Sequence, residues 1–101
     1  MSYRIIVSPA SFNDTFDAFS YYEEKQEGLG LRFILELEKA YSKLQTHPSY
    51  YSYINKEHNI RAIGVRKFPY RVIYEINDKQ IFVFAVYNSF RHPNQLLKRF
   101  S

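Results

Sequence analysis

Six residues in the second half of the chain carry side chains suited to holding phosphate or moving protons: Arg61, Arg66, Lys67, Tyr87, Arg91 and His92. Transfer at phosphate without a metal requires a base to activate the attacking hydroxyl, a cation to stabilise the charged phosphorane, and an acid for the leaving oxygen. Here the arginines and the lysine can supply the cation, and Tyr87 or His92 can move protons. Of these groups, an imidazole is the one that ordinarily titrates nearest neutral pH. The simpler reading makes the same charges the solvated side of a basic sheet, with His92 occupying the turn before Pro93. That simpler reading is preferred here, so no catalytic residue is assigned.

Other chemistry is poorly provided for. The chain has no cysteine, which removes disulfides, thiolate ligands and thiol nucleophiles, and His47, His58 and His92 are too far apart for a local metal motif. No metal and no cofactor are expected. Gly28-Leu29-Gly30 lacks the third glycine and the preceding strand of a dinucleotide loop, so it reads as a helix connector.

The elements that must position the six residues come next. With 101 residues, 46% hydrophobic and 24% charged, the chain is sized for one domain spanning 1–101 with a single core. Ten Tyr and nine Phe with no Trp mean that rings supply much of that core. No apolar run approaches the roughly 20 residues that cross a bilayer, and no signal-peptide pattern opens the chain. Cytoplasm is the expected compartment and no membrane partner is expected.

The net charge of +4 hides an asymmetry. Residues 1–59 hold six Lys/Arg against eight Asp/Glu, while residues 60–101 hold eight against two. The positive field of the second part favours nucleic acid or an acidic protein surface.

Tyr3-Arg4-Ile5-Ile6-Val7 reads as a strand that runs into a helix capped by Ser8, with Pro9 as the first helical residue. Phe12, Phe16 and Phe19 recur at helical spacing and predict a core-facing stripe in a helix reaching about Glu27. After the glycine connector a second stripe follows: Leu29, Phe33, Leu37, Ala40, Tyr41 and Leu44, ended by Pro48. The two helices form an antiparallel hairpin, with Leu31 and Leu35 off the second stripe as a candidate exposed apolar surface.

Residues 49–58 follow neither period and read as a loop. The period then becomes two, predicting strands at Ile60–Val65, Arg71–Ile76 and Gln80–Val86, the last two joined by Asn77-Asp78-Lys79. Ile81 to Val86 is apolar on both faces, as a central strand would be. The order β-α-α-β-β-β defines an α+β fold: a small twisted, mainly antiparallel sheet with an N-terminal helical hairpin on one face.

Three stretches together resemble the RelE/ParE superfamily, and its ParE branch most. They are Tyr3 to Ala10; Tyr21-Tyr22-Glu23-Glu24 with Gly28-Leu29-Gly30, Arg32-Phe33 and Glu36-Leu37-Glu38; and Arg66-Lys67-Phe68-Pro69-Tyr70 with Val72-Ile73-Tyr74, Ala85-Val86 and Arg91-His92-Pro93. Tyr87 and Asn88 stand where the family usually has a histidine.

The resemblance implies a toxin, of the kind called plasmid stabilisation proteins, held inactive by a co-expressed antitoxin that wraps its surface. It implies DNA gyrase as the target for the ParE branch, and messenger RNA cut on the ribosome for the RelE branch. On the first reading Arg66, Lys67, Arg91, Lys98 and Arg99 bind gyrase or DNA phosphate, without sequence-specific DNA binding by the toxin alone. Leu31, Leu35 and Arg61 are the expected antitoxin contacts. A degenerate toxin kept for antitoxin binding is the third alternative.

Overall fold

The computed structural model describes residues 2–91. Strand β1 (Arg4–Val7) leads into helix α1 (Pro9–Lys25), and helix α2 (Leu29–Thr46) returns antiparallel to it. A single 3₁₀ turn, Pro48–Tyr50, precedes β2 (Tyr53–Asn55), β3 (Ile60–Val65), β4 (Tyr70–Asn77) and β5 (Gln80–Asn88). The sheet order is β1-β5-β4-β3-β2, with β1 parallel to β5 and every other pair antiparallel. This is the expected α+β fold with one addition: the segment read as a loop contains the edge strand β2. At three residues it is too short to show an alternating pattern.

Helix α2 follows its sequence stripe. Phe33, Leu37, Ala40 and Leu44 are buried and meet Ile63, Val65, Val72, Tyr74, Ile81, Val83 and Val86 from the sheet in one core. Rings fill the end nearest the helical turn, where Tyr22 and Phe33 contact each other and each contacts Phe68 and Tyr70, with centroids 4.9 to 6.1 Å apart and mostly edge to face.

Helix α1 departs from the expected orientation. Phe12 and Phe16 are 64% and 65% exposed, while Ser11 and Ala18 are buried. The cause lies in β5, where the register with β4 passes from Ile73↔Ala85 to Tyr74↔Val83 and leaves Phe84 as an extra residue. The bulge disrupts the ladder just where the pairing of β1 ends at Val7↔Val83, so this stretch of β5 takes backbone partners from outside the sheet. Helix α1 supplies them. Ser8 Oγ donates to the Phe84 carbonyl at 3.3 Å, Ser11 Oγ donates to the Val83 carbonyl at 3.2 Å, and the Val86 N–H donates to Asp14 Oδ2 at 3.0 Å. Positions 8, 11 and 14 share one helical face, so satisfying the bulge turns that polar face inward and the rings outward. Ser8 also caps α1 by accepting from the Ser11 N–H at 3.1 Å.

The hairpin turn is set by two glycines and one acid. Gly28 adopts φ +86°, and a Cβ on Gly30 would lie 2.8 Å from both the Phe19 ring and its carbonyl. Gly30 belongs to α2 itself rather than to the connector. Glu23 of α1 accepts from the Gly28 N–H at 2.9 Å and from the Gly30 N–H at 3.0 Å, placing a carboxylate at the N-terminus of α2.

Candidate functional site: the basic end of the sheet and the outer face of the hairpin

The turn between β3 and β4 and the end of β5 come together. Val65 pairs with Tyr70, Tyr70 pairs with Asn88, and the Ser89 N–H donates to the Pro69 carbonyl at 2.7 Å. Arg66 and Lys67 on the turn and Arg91 after β5 are therefore gathered at one end of the sheet, all exposed. Lys67 sits at φ +71°, a left-handed conformation unfavourable for a residue with a Cβ.

Beside Arg91 a cleft of about 50 Å³, room for a water or two, is lined by Asp14, Asp17, Tyr70, Val86, Tyr87, Asn88 and Arg91. Burial pushes the Tyr70 phenol above its ordinary range, and its hydrogen bond with Asn88 and the charge of Arg91 pull it partly back. Tyr87 lines the same cleft but is only 8% exposed.

Arg61 lies elsewhere. It sits near the start of β3, five positions before Arg66, which puts the two roughly 17 Å apart at about 3.4 Å per residue. Its guanidinium stacks 3.9 Å from the centroid of the Tyr53 ring and donates to the carbonyls of Ser49 and Tyr51 at 3.0 and 2.6 Å. These bonds tie the segment after α2 to β3. Nearby, the Tyr74 hydroxyl donates to the Pro48 carbonyl at 2.6 Å, and burial raises the Tyr74 phenol to about 12. His92, Lys98 and Arg99 lie outside the described residues.

Two residues at this end carry no signal in the sequence reading. Arg71 pairs with Tyr87 across β4 and β5, adding a further cation. Phe90 is 85% exposed beside Arg91.

On the hairpin, Leu31 and Leu35 are 57% and 50% exposed, as a surface for a partner requires. Together with Phe12 and Phe16 they give each helix apolar side chains in solvent. A groove of about 280 Å³ lined by Tyr22, Leu29, Arg32, Glu36, Lys67, Phe68 and Pro69 lies between the hairpin and the β3–β4 turn. Among the described residues, no group of three or more His, Cys, Asp or Glu is placed to hold a metal ion, and no helix is long and apolar enough to cross a membrane.

A helical hairpin on a five-stranded mixed sheet with a basic end defines a RelE/ParE-like protein. The fold matches a structure of the chromosomal ParDE toxin–antitoxin system from P. aeruginosa with a TM-score of 0.74 at 10% identity, covering 86% of this chain and 96% of that one. It matches the E. coli toxin RelE, in the free state and with two of its arginines replaced by alanine, with a TM-score of 0.61 at 15% identity, covering 98% and 94%. Comparison with curated protein sequences returns no match. Residues 5–91 match the family of ParE toxins of the type II toxin–antitoxin system parDE, and the chain belongs to that family.

Proposed function

We propose that this type II toxin acts by binding and inhibiting DNA gyrase, and that a cognate antitoxin neutralises it by covering the hairpin and the groove beside it. The ParE family match over residues 5–91 carries the gyrase reading. The geometry supports binding over catalysis: of the groups that could cut RNA, Arg61 is engaged by two backbone carbonyls and a ring, and Tyr87 is buried. Arg66, Lys67 and Arg91 remain exposed at one end and are the target contacts on this reading, with affinity that falls as salt rises.

The antitoxin reading draws on the exposed Leu31 and Leu35 and on the groove lined by Lys67 and Arg32. An amphipathic segment would place its apolar residues on the hairpin and its acids by these cations. Double substitution of Leu31 and Leu35 by Asp is expected to weaken the complex at least about tenfold; unchanged affinity would remove the hairpin from the interface.

The deciding experiment induces the toxin with and without the product of the adjacent gene, then assays the purified toxin for gyrase-dependent DNA cleavage and ribosome-dependent mRNA cutting. Trapped gyrase–DNA complexes with intact mRNA are expected. Codon-phased mRNA cuts lost on Arg91→Ala would replace the gyrase reading with a ribosome-dependent endonuclease. Silence in both assays without growth arrest would mark a toxin retained for antitoxin binding. The isolated protein is expected to give no sequence-specific DNA footprint, since phosphate contacts select little sequence.

A further inference from the structure

The exposure of Phe90 is held in place by the backbone around it. The Phe90 N–H donates to Asn88 Oδ1 at 2.9 Å, the Arg91 N–H donates to the Asn88 carbonyl at 3.0 Å, and the neighbouring Ser89 N–H donates to the Pro69 carbonyl at 2.7 Å. Asn88 thus builds an Asx turn that is fastened to the β3–β4 turn, with the ring of Phe90 85% exposed to solvent beside it. The residues on either side of that fastening are cations: Arg91 follows Phe90 directly, and Arg66 and Lys67 stand on the turn to which Ser89 is bonded.

We propose that this end of the sheet binds a single strand of nucleic acid, with a base stacked on Phe90 and the adjoining phosphates on Arg91, Lys67 and Arg66. An acidic protein surface would use the three cations and leave the ring idle. A duplex would offer phosphates but keep its base faces covered by their neighbours. A single strand matches both features, because every unpaired base presents a π-face and every linkage a negative charge. Stacking on a ring tolerates any sequence, which agrees with the absence of specific DNA binding expected above. The inference rests on the reading that this end of the sheet meets the target, and it names the chemistry met there.

The test titrates the full chain with fluorescent ten-nucleotide oligo-dT and oligo-U, with a ten-base-pair duplex and with poly-glutamate, each over a salt series. Both single strands are expected to bind more tightly than the duplex, with the sugar that binds better naming DNA or RNA as the source. Phe90→Ala is expected to weaken single-strand binding roughly 5- to 100-fold with its salt slope and melting temperature unchanged, and Phe90→Trp to restore it. Lys67→Gln is expected to lower the salt slope by about 0.7.

Equal binding of duplex and single strand with no effect of Phe90→Ala would overturn the proposal, as would poly-glutamate binding as tightly as the oligonucleotides. The gyrase reading fails separately: single-strand binding without trapped gyrase complexes would sink that reading and leave this site standing, whereas trapped complexes unaffected by Phe90→Ala, with no oligonucleotide binding, would do the reverse.

Discussion

Helix α2 buries Phe33, Leu37, Ala40 and Leu44 along one stripe, whereas α1 turns Ser11 and Ala18 inward and leaves Phe12 and Phe16 in solvent. The two helices lie side by side over the same sheet, yet different needs orient them. For α2 the need is apolar area removed from water. For α1 it is the bulged stretch of β5, whose backbone is bonded by Ser8, Ser11 and Asp14. Leaving the buried Val86 N–H unmet would cost about 1–3 kcal/mol, comparable to what burial of one ring contributes at about 1.5–3 kcal/mol. Packing partners, more than a helix's own hydrophobic pattern, decide which face turns inward.

The largest expected difference between the helices is in ring deletion. Phe33→Ala in α2 should destabilise the fold by about 3–5 kcal/mol, while Phe16→Ala in α1 should stay within about 0.5 kcal/mol; denaturant melts of the two variants measure this directly. A comparable loss in both would mean that Phe16 is covered in solution.

Alkaline titration addresses the point where the helices meet. Burial, and secondarily the carboxylate of Asp14, raises Tyr41 of α2 to about 12, and burial raises Tyr74 to about 12. Because the folded phenols hold their protons more tightly than unfolded ones, their contribution is fully present below about pH 10. It is lost as pH climbs from about 10 to about 12, at up to about 1.4 kcal/mol per pH unit for each group. Asp14→Asn should bring Tyr41 down and leave Tyr74 in place, as followed by ultraviolet phenolate absorbance.

Asp14→Ala removes the contact with the bulged strand together with the charge that acts on Tyr41. It leaves the Val86 N–H without its carboxylate acceptor and should cost about 1–3 kcal/mol, with Asp14→Asn recovering part of the loss. No change on Asp14→Ala would show that water serves the bulge equally well and that α1 needs another explanation for its orientation.

The contrast between the helices also marks how far the sequence could be read. The α2 stripe, the Ser8-Pro9 cap, the hairpin and strands β3 to β5 were legible because their signals are periodic or punctuated by glycine and proline. The facing of α1 was hidden because three phenylalanines at helical spacing outweigh two serines and an aspartate on any hydrophobicity reading. Nothing in the amino-acid pattern announces a bulge 72 positions downstream.

Among the candidate site residues, Arg66, Lys67 and Arg91 are gathered as a basic end because a turn and a strand end meet there. Arg61 looked the same in sequence, but the structure ties it to Ser49 and Tyr51. Phe90 carried no periodic signal. Its exposure became visible only with the Asx turn of Asn88.

The parallel pairing of β1 with β5 has a consequence for synthesis. Ser8 and Phe84, bonded in the finished molecule, are 76 positions apart, and β1 finds its strand neighbour only when Gln80–Asn88 exists. Contacts so distant in sequence form late and expose their edges meanwhile. On the ribosome the hairpin can close early, but the first strand must wait for the last. The basic end then takes shape only as Arg91 emerges, so every shorter nascent chain lacks the assembled cationic surface.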